Sequence, residues 1–113
     1  MNKRETGGLF EQVAADYLRS LGYHILRQNY RCRQGEVDLI CRHEGYLVFV
    51  EVKYRSTQIM GAPSEAVDWR KQEHIRRVAV FYLYSSRLPE DTPCRFDVVS
   101  ILGEEIKVIQ NAF

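Results

Sequence analysis

No apolar run in the chain approaches the ~20 residues needed to cross a bilayer, and the N-terminal Met1-Asn2-Lys3-Arg4-Glu5-Thr6 lacks the apolar core of a signal peptide. Cysteine is scarce. Cys32, Cys41 and Cys94 are odd in number and have no short paired spacing, which argues against a disulfide scaffold or a structural zinc site and for a reducing cytoplasm. Proline is nearly absent, with three residues, and no Pro/Gly-rich linker or internal repeat divides the chain. One domain over residues 1–113 follows, expected to be soluble, not exported and free of membrane. Excess charge is missing too. A net charge of +1 gives no global argument for a nucleic-acid partner, although basic residues cluster at Arg27, Arg31 and Arg33 and at Arg70, Lys71, Arg76 and Arg77.

What is present is the material of a folded protein: 45% apolar and 27% charged residues. A domain of 113 residues buries roughly two-thirds of its unfolded surface, so a charged residue on an inward face is costly. Phe10, Val13, Ala14, Tyr17, Leu18 and Leu21 recur at helical spacing before Gly22, with the stripe centred near Tyr17 and Leu21 and Glu11 at its edge. Strands are expected at 23–30, 36–42 and 47–54, the last two joined by a hairpin at His43-Glu44-Gly45-Tyr46. A loop over 55–63 leads to a second helix, capped by Ser64 and reaching about Tyr84, and strands follow at 95–102 and 105–110. The order αβββαβ(β) needs the second helix as the crossover of a parallel pair, which predicts a mixed α/β sheet flanked by helices.

Leu47-Val48-Phe49-Val50 is apolar on both faces, as in a central strand, yet Glu51 and Lys53 follow on it directly. A turn centred on Glu44-Gly45 sets Asp38 opposite Glu51 and Glu36 opposite Lys53. Like charges facing each other within about 5 Å destabilise a sheet. Such a pair either shares a proton or holds a divalent cation, and oxygen ligands suit Mg2+ or Mn2+. Lys53 points into the same space, where it can orient an attacking water or stabilise charge on a pentavalent phosphate. Lys71 lies inside the apolar stripe of the second helix with Gln72 at its margin, placed either to snorkel or to contact phosphate or carboxylate. The competing interpretation of these charges is an exposed patch of cross-strand ion pairs.

Gly35-Glu36-Val37-Asp38-Leu39-Ile40 followed by Val48-Phe49-Val50-Glu51-Val52-Lys53-Tyr54-Arg55 resembles the PD-(D/E)XK nuclease superfamily, and more closely the YraN family of small bacterial proteins. Glu11, Gly22-Tyr23, Asn29-Tyr30-Arg31, Gly61, Lys71-Gln72 and Arg95-Phe96-Asp97-Val98-Val99 also fall where that pattern puts them, so the resemblance covers nearly the whole chain. It implies a restriction-endonuclease-like αβββαβ core. It implies that Asp38 and Glu51 bind the metal with the backbone carbonyl of Val52, and that Lys53 is catalytic. Glu11 would give a further metal or water contact, and Lys71-Gln72 a supporting polar role. Val37 stands where many members have proline.

Two functions are expected from different classes. One is a magnesium-dependent nuclease acting on DNA, branched structures included, with Arg31, Arg33 and Arg55 on phosphates; a homodimer would supply two sites for a two-strand cut. The other is a catalytically silent nucleic-acid-binding or adaptor module on the same fold. A purely structural sheet domain, the third alternative, would bind no divalent metal.

Overall fold

The computed structural model describes residues 3–55 and 67–113, with side chains from Gly8 onward in the first helix. Helix α1 (Lys3–Ser20) precedes the strands β1 (His24–Cys32), β2 (Gly35–His43) and β3 (Tyr46–Arg55). Helix α2 (Trp69–Ser85), β4 (Cys94–Leu102) and β5 (Glu105–Ile109) follow. The strands form one sheet in the order β1-β2-β3-β4-β5. All neighbours are antiparallel except β3 and β4, which run parallel on either side of the α2 crossover. The expected mixed sheet flanked by helices is therefore the architecture, and it is compatible with a restriction-endonuclease-like core.

Local chemistry explains the turns that matter. Glu44 and Gly45 both take positive φ, 51° and 85°, between the paired residues His43 and Tyr46. That is the two-residue hairpin turn whose twist matches the flanking strands. It fixes the register expected from the sequence, with Leu39 opposite Val50 and Ile40 opposite Phe49. Gly22 (φ 91°) lets α1 stop: the Tyr23 N–H reaches back to the Leu18 carbonyl at 3.0 Å.

The sheet has a core on each face. Leu18, Ala14 and Ala15 of α1 pack on Leu39, Cys41, Val48, Val50 and Val99; Ile75, Val78 and Leu83 of α2 pack on Ile40, Leu47, Phe49 and Val98. Phe49 is fully buried; burial of such a side chain contributes about 1.5–3 kcal/mol. β3 is buried on both faces, as its unbroken apolar run predicts.

Three sequence expectations need correction. The buried stripe of α1 centres on Ala14, Ala15 and Leu18, leaving Val13 and Leu21 exposed, because the helix packs closely on the sheet through small side chains. α2 begins at Trp69, and its cap is Asp68, whose carboxylate accepts the Lys71 N–H at 2.9 Å. Ser64, expected in that role, lies outside the described residues, as does Gly61. Glu36 does not face Lys53. The β2–β3 ladder ends at Leu39–Val50, and Glu36 pairs instead with Arg31 of β1 at 3.2 Å.

Candidate active site

The end of that ladder creates the site. Val37 belongs to the α2-side core and Leu39 to the α1-side core, although residues two apart share a face in a regular strand. The alternation is thus broken at Asp38, where β2 leaves β3. Asp38 turns its carboxylate into the opening and accepts the Val52 N–H at Oδ2 over 2.7 Å, satisfying a backbone donor that β2 no longer meets.

Glu51 projects from β3 into the same fork and is 4% exposed. Lys71 of α2 donates to its Oε1 at 2.7 Å, and the Lys53 ammonium lies 3.8 Å from the same oxygen. Glu11 of α1 comes close enough to hydrogen-bond Asp38. Three carboxylates and two lysines therefore converge from β2, β3, α1 and α2, at the rim where the sheet opens.

The charges are under strain. Burial and the neighbouring Glu11 carboxyl push Asp38 up to about 6, against the opposing pull of the Val52 N–H and Lys71. Burial, and then repulsion from Asp38, push Glu51 up to about 7, although both lysines pull the other way. Lys53 is lowered by burial and by the charge of Lys71. Burial also acts to lower Lys71, but its bond to Glu51 outweighs that and leaves it raised. The expected repulsion between Asp38 and Glu51 is real even though the two are not ladder partners.

As they stand, no three His, Cys, Asp or Glu side chains among the described residues are disposed to hold a metal ion. The donor set nevertheless fits a hard divalent cation. Its side-chain donors are carboxylate oxygens only, and the Asp38 and Glu51 carboxyls are held above their ordinary range by burial first and then by neighbouring negative charge, the part a cation would relieve. Lys71 is the group that would have to give up Glu51.

The outlying expectations fare differently. Gln72 donates to the Val67 carbonyl at 2.9 Å, which anchors the chain entering α2. Arg31 is half-engaged by Glu36, and Arg33 is exposed on the β1–β2 turn. Arg55 ends β3, two residues beyond Lys53, and its carbonyl accepts the Gly103 N–H at 3.0 Å.

A second polar cluster, whose chemistry the sequence reading missed, lies away from the fork. Asp97, with no exposure at all, is bound by Nε and Nη2 of Arg95 at 2.9 Å each. The Tyr23 hydroxyl donates to it at 2.7 Å, and the Asn111 N–H at 3.0 Å. His43 stacks on Tyr23 at 3.9 Å, and its Nδ1 lies 2.8 Å from Nη2 of Arg95. Arginine can only donate, so that nitrogen accepts and the ring proton sits on Nε2. The clue was available: an Arg and an Asp flank Phe96 at the start of a strand whose only other polar residue is Ser100.

A sequence model described as "Uncharacterised protein family UPF0102" matches residues 10–101, spanning every element that builds the fork. The chain belongs to this family. It is the YraN family expected from the sequence. A UPF0102 protein of Lachnoclostridium phytofermentans is 56% identical over all of this chain and 96% of its own length. One from Caldicellulosiruptor saccharolyticus is 41% identical over the full length of both chains. A Clostridium botulinum UPF0102 protein is 39% identical over 97% of this chain and 94% of its own. As a UPF0102 member, the chain spans its relatives almost end to end.

Among the described residues, no helix is long and apolar enough to cross a membrane.

Proposed function

We propose that this UPF0102 protein is a metal-dependent nuclease that hydrolyses phosphodiester bonds in DNA, branched DNA included. The observation that carries the proposal is the fork itself: Asp38 and Glu51 are held together against their repulsion, with Lys53 and Lys71 at the same opening. A fold has little structural reason to desolvate two carboxylates beside each other, and a buried polar pair costs stability unless something compensates it.

Asp38, Glu51 and the Val52 carbonyl, with Glu11 alongside, would hold Mg2+ or Mn2+, which supplies Lewis-acid polarisation of the phosphate when bound. Lys53, whose ammonium lies 3.8 Å from Glu51, orients the water that attacks phosphorus. Lys71, released from Glu51, turns its ammonium to the phosphate and stabilises the charge that develops there. Arg31, Arg33 and Arg55 contact flanking phosphates.

The test is a cleavage screen with purified protein on single-stranded, duplex, flap and four-way-junction DNA and on RNA, in Mg2+, in Mn2+ and in chelator. Glu51→Ala and Lys53→Ala serve as controls. Metal-dependent cutting of DNA that both variants lose is the expected result. Absence of cutting on every substrate, or cutting that survives both substitutions, defeats the proposal.

A second reading has its own observation. Lys71 and Lys53 already neutralise Glu51 within the chain, as they would in a silent nucleic-acid-binding module. That reading prevails if wild type, Glu51→Ala and Lys53→Ala bind DNA alike and none cleaves it.

A further inference from the structure

The outer face of α2 takes no part in the fork. It lines an open groove of about 1130 Å³ between the helix, Gln34 of the β1–β2 turn and the segment Leu88-Pro89-Glu90. Val80 and Tyr84 stand on its wall at 67% and 83% exposure, high values for a β-branched residue and an aromatic ring in the body of a helix that buries Ile75, Val78, Ala79 and Leu83. At about 100° per residue, Glu73, Arg77, Val80 and Tyr84 lie within a strip about 60° wide, opposite the buried Ile75 and Val78. Their spacing of four, three and four residues is that of a helix–helix seam.

We propose that this strip is a self-complementary interface and that its occupant is a second copy of the chain, with the two α2 helices antiparallel about a two-fold axis at Val80. Charge complementarity selects that partner. Val80 is midway between Glu73 and Arg87, so a two-fold axis through it brings Glu73 of each copy to Arg87 of the other, and does so twice. Neither residue has an ion-pair partner within its own chain among the described residues. The same axis sets the Tyr84 ring against Arg76 of the second copy. The Arg76 guanidinium is already held 5.3 Å from the centre of the Phe96 ring and so is preorganised. The two Val80 side chains meet at the centre, where burial is most complete.

Arg87 adds an independent sign. It adopts φ 56° just past the Ser86 cap, a left-handed position where glycine or asparagine costs less. An arginine there places an exposed cation just past the helix end.

The interface stands independently of the chemistry at the fork, and its test uses no activity assay. Sedimentation equilibrium of the full chain should give a dimer of about twice the 13.3 kDa protomer mass. Glu73→Arg and Arg87→Glu should each weaken it at least about tenfold, since each reversal places like charges together at two symmetric points. The double reversal restores both pairs and should return the dissociation constant to near the wild-type value. Val80→Glu should leave monomer. All three positions are exposed, and circular dichroism checks that the variants fold. Monomer alone at concentrations up to about 0.2 mM overturns the proposal. So does a dimer that tolerates Val80→Glu, single reversals without effect, or a double reversal that fails to rescue.

Discussion

Val52 gives its N–H to Asp38 across the point where β2 and β3 part, so the strand carrying Glu51 holds the other carboxylate by its own backbone. This bond makes Asp38 an anchor of the fork as well as a candidate ligand. Asp38→Ala removes the acceptor and leaves the amide without its partner, at a cost of about 1–3 kcal/mol. Asp38→Asn can retain the hydrogen bond while losing the charge. Thermal melts should therefore separate the two variants by several degrees, with Asn the more stable, while calorimetry with Mn2+ finds binding weakened in both. Equal melting temperatures would show that the bond contributes nothing.

Stability of the metal-free protein should fall as pH rises from about 4 to about 7.5. Asp38 and Glu51 are raised to about 6 and 7, above their values in an unfolded chain, so the folded state binds more protons in that window. Unfolding is then favoured as those protons leave; the penalty is absent below the unfolded values and complete once pH passes the folded ones. Each group contributes on the order of 3 kcal/mol as an upper limit. Glu51→Gln removes one charge and flattens the curve. Denaturant melts across this range give the slope, and a rise in stability toward pH 7.5 would contradict the assignment.

Divalent-metal affinity should climb over the same range, because a cation competes with protons for the two carboxylates. Mn2+ calorimetry at pH 5.5 and 8.0 should show markedly tighter binding at the higher pH. Added metal should also cancel part of the stability loss that the metal-free protein shows at the higher pH. A binding constant independent of pH would place the ion elsewhere.

The two lysines should separate by role. Lys71→Ala strips Glu51 of its 2.7 Å partner and leaves only the more distant Lys53 against the repulsion from Asp38, so this variant should lose stability near neutral pH as well as cleavage. Lys53→Ala removes a group 3.8 Å away, beyond hydrogen-bond reach of Glu51 Oε1; it should lose cleavage about 100-fold or more with little change in melting temperature. Parallel cleavage assays and melts decide it, and equal stability losses would merge the two roles.

Asp97→Ala leaves Arg95 buried without its counter-charge, a loss of about 3–5 kcal/mol. Chemical denaturation should show that loss while Mn2+ binding at the fork survives in the fraction that folds. Metal binding lost in step with residue 97 would mean the two clusters act as one.

How far the sequence revealed all this depended on which forces were local. The Glu44-Gly45 turn and the apolar run of β3 set the hairpin register, so the closeness of Asp38 and Glu51 could be argued from residue numbers alone. Where β2 leaves the ladder could not. That depends on Glu36 finding Arg31 on the far side and on Asp38 taking the Val52 amide, both competitions between strands. The buried face of α1 was misjudged because large side chains dominate a periodicity count, whereas Ala14 and Ala15 allow the closest approach to the sheet. The role of Asp97 was not legible because its partners Tyr23 and Asn111 come from the two ends of the chain.

That last separation has a kinetic consequence. The Tyr23–Asp97 and Tyr23–Gln110 bonds close loops of 74 and 87 residues, which no hairpin or helix turn helps to form. Contacts of such range are expected to assemble after the local β1–β2–β3 meander, on the native side of the folding barrier. The cluster should therefore act as a latch: weakening it leaves the rate of folding nearly unchanged and makes the finished protein open sooner.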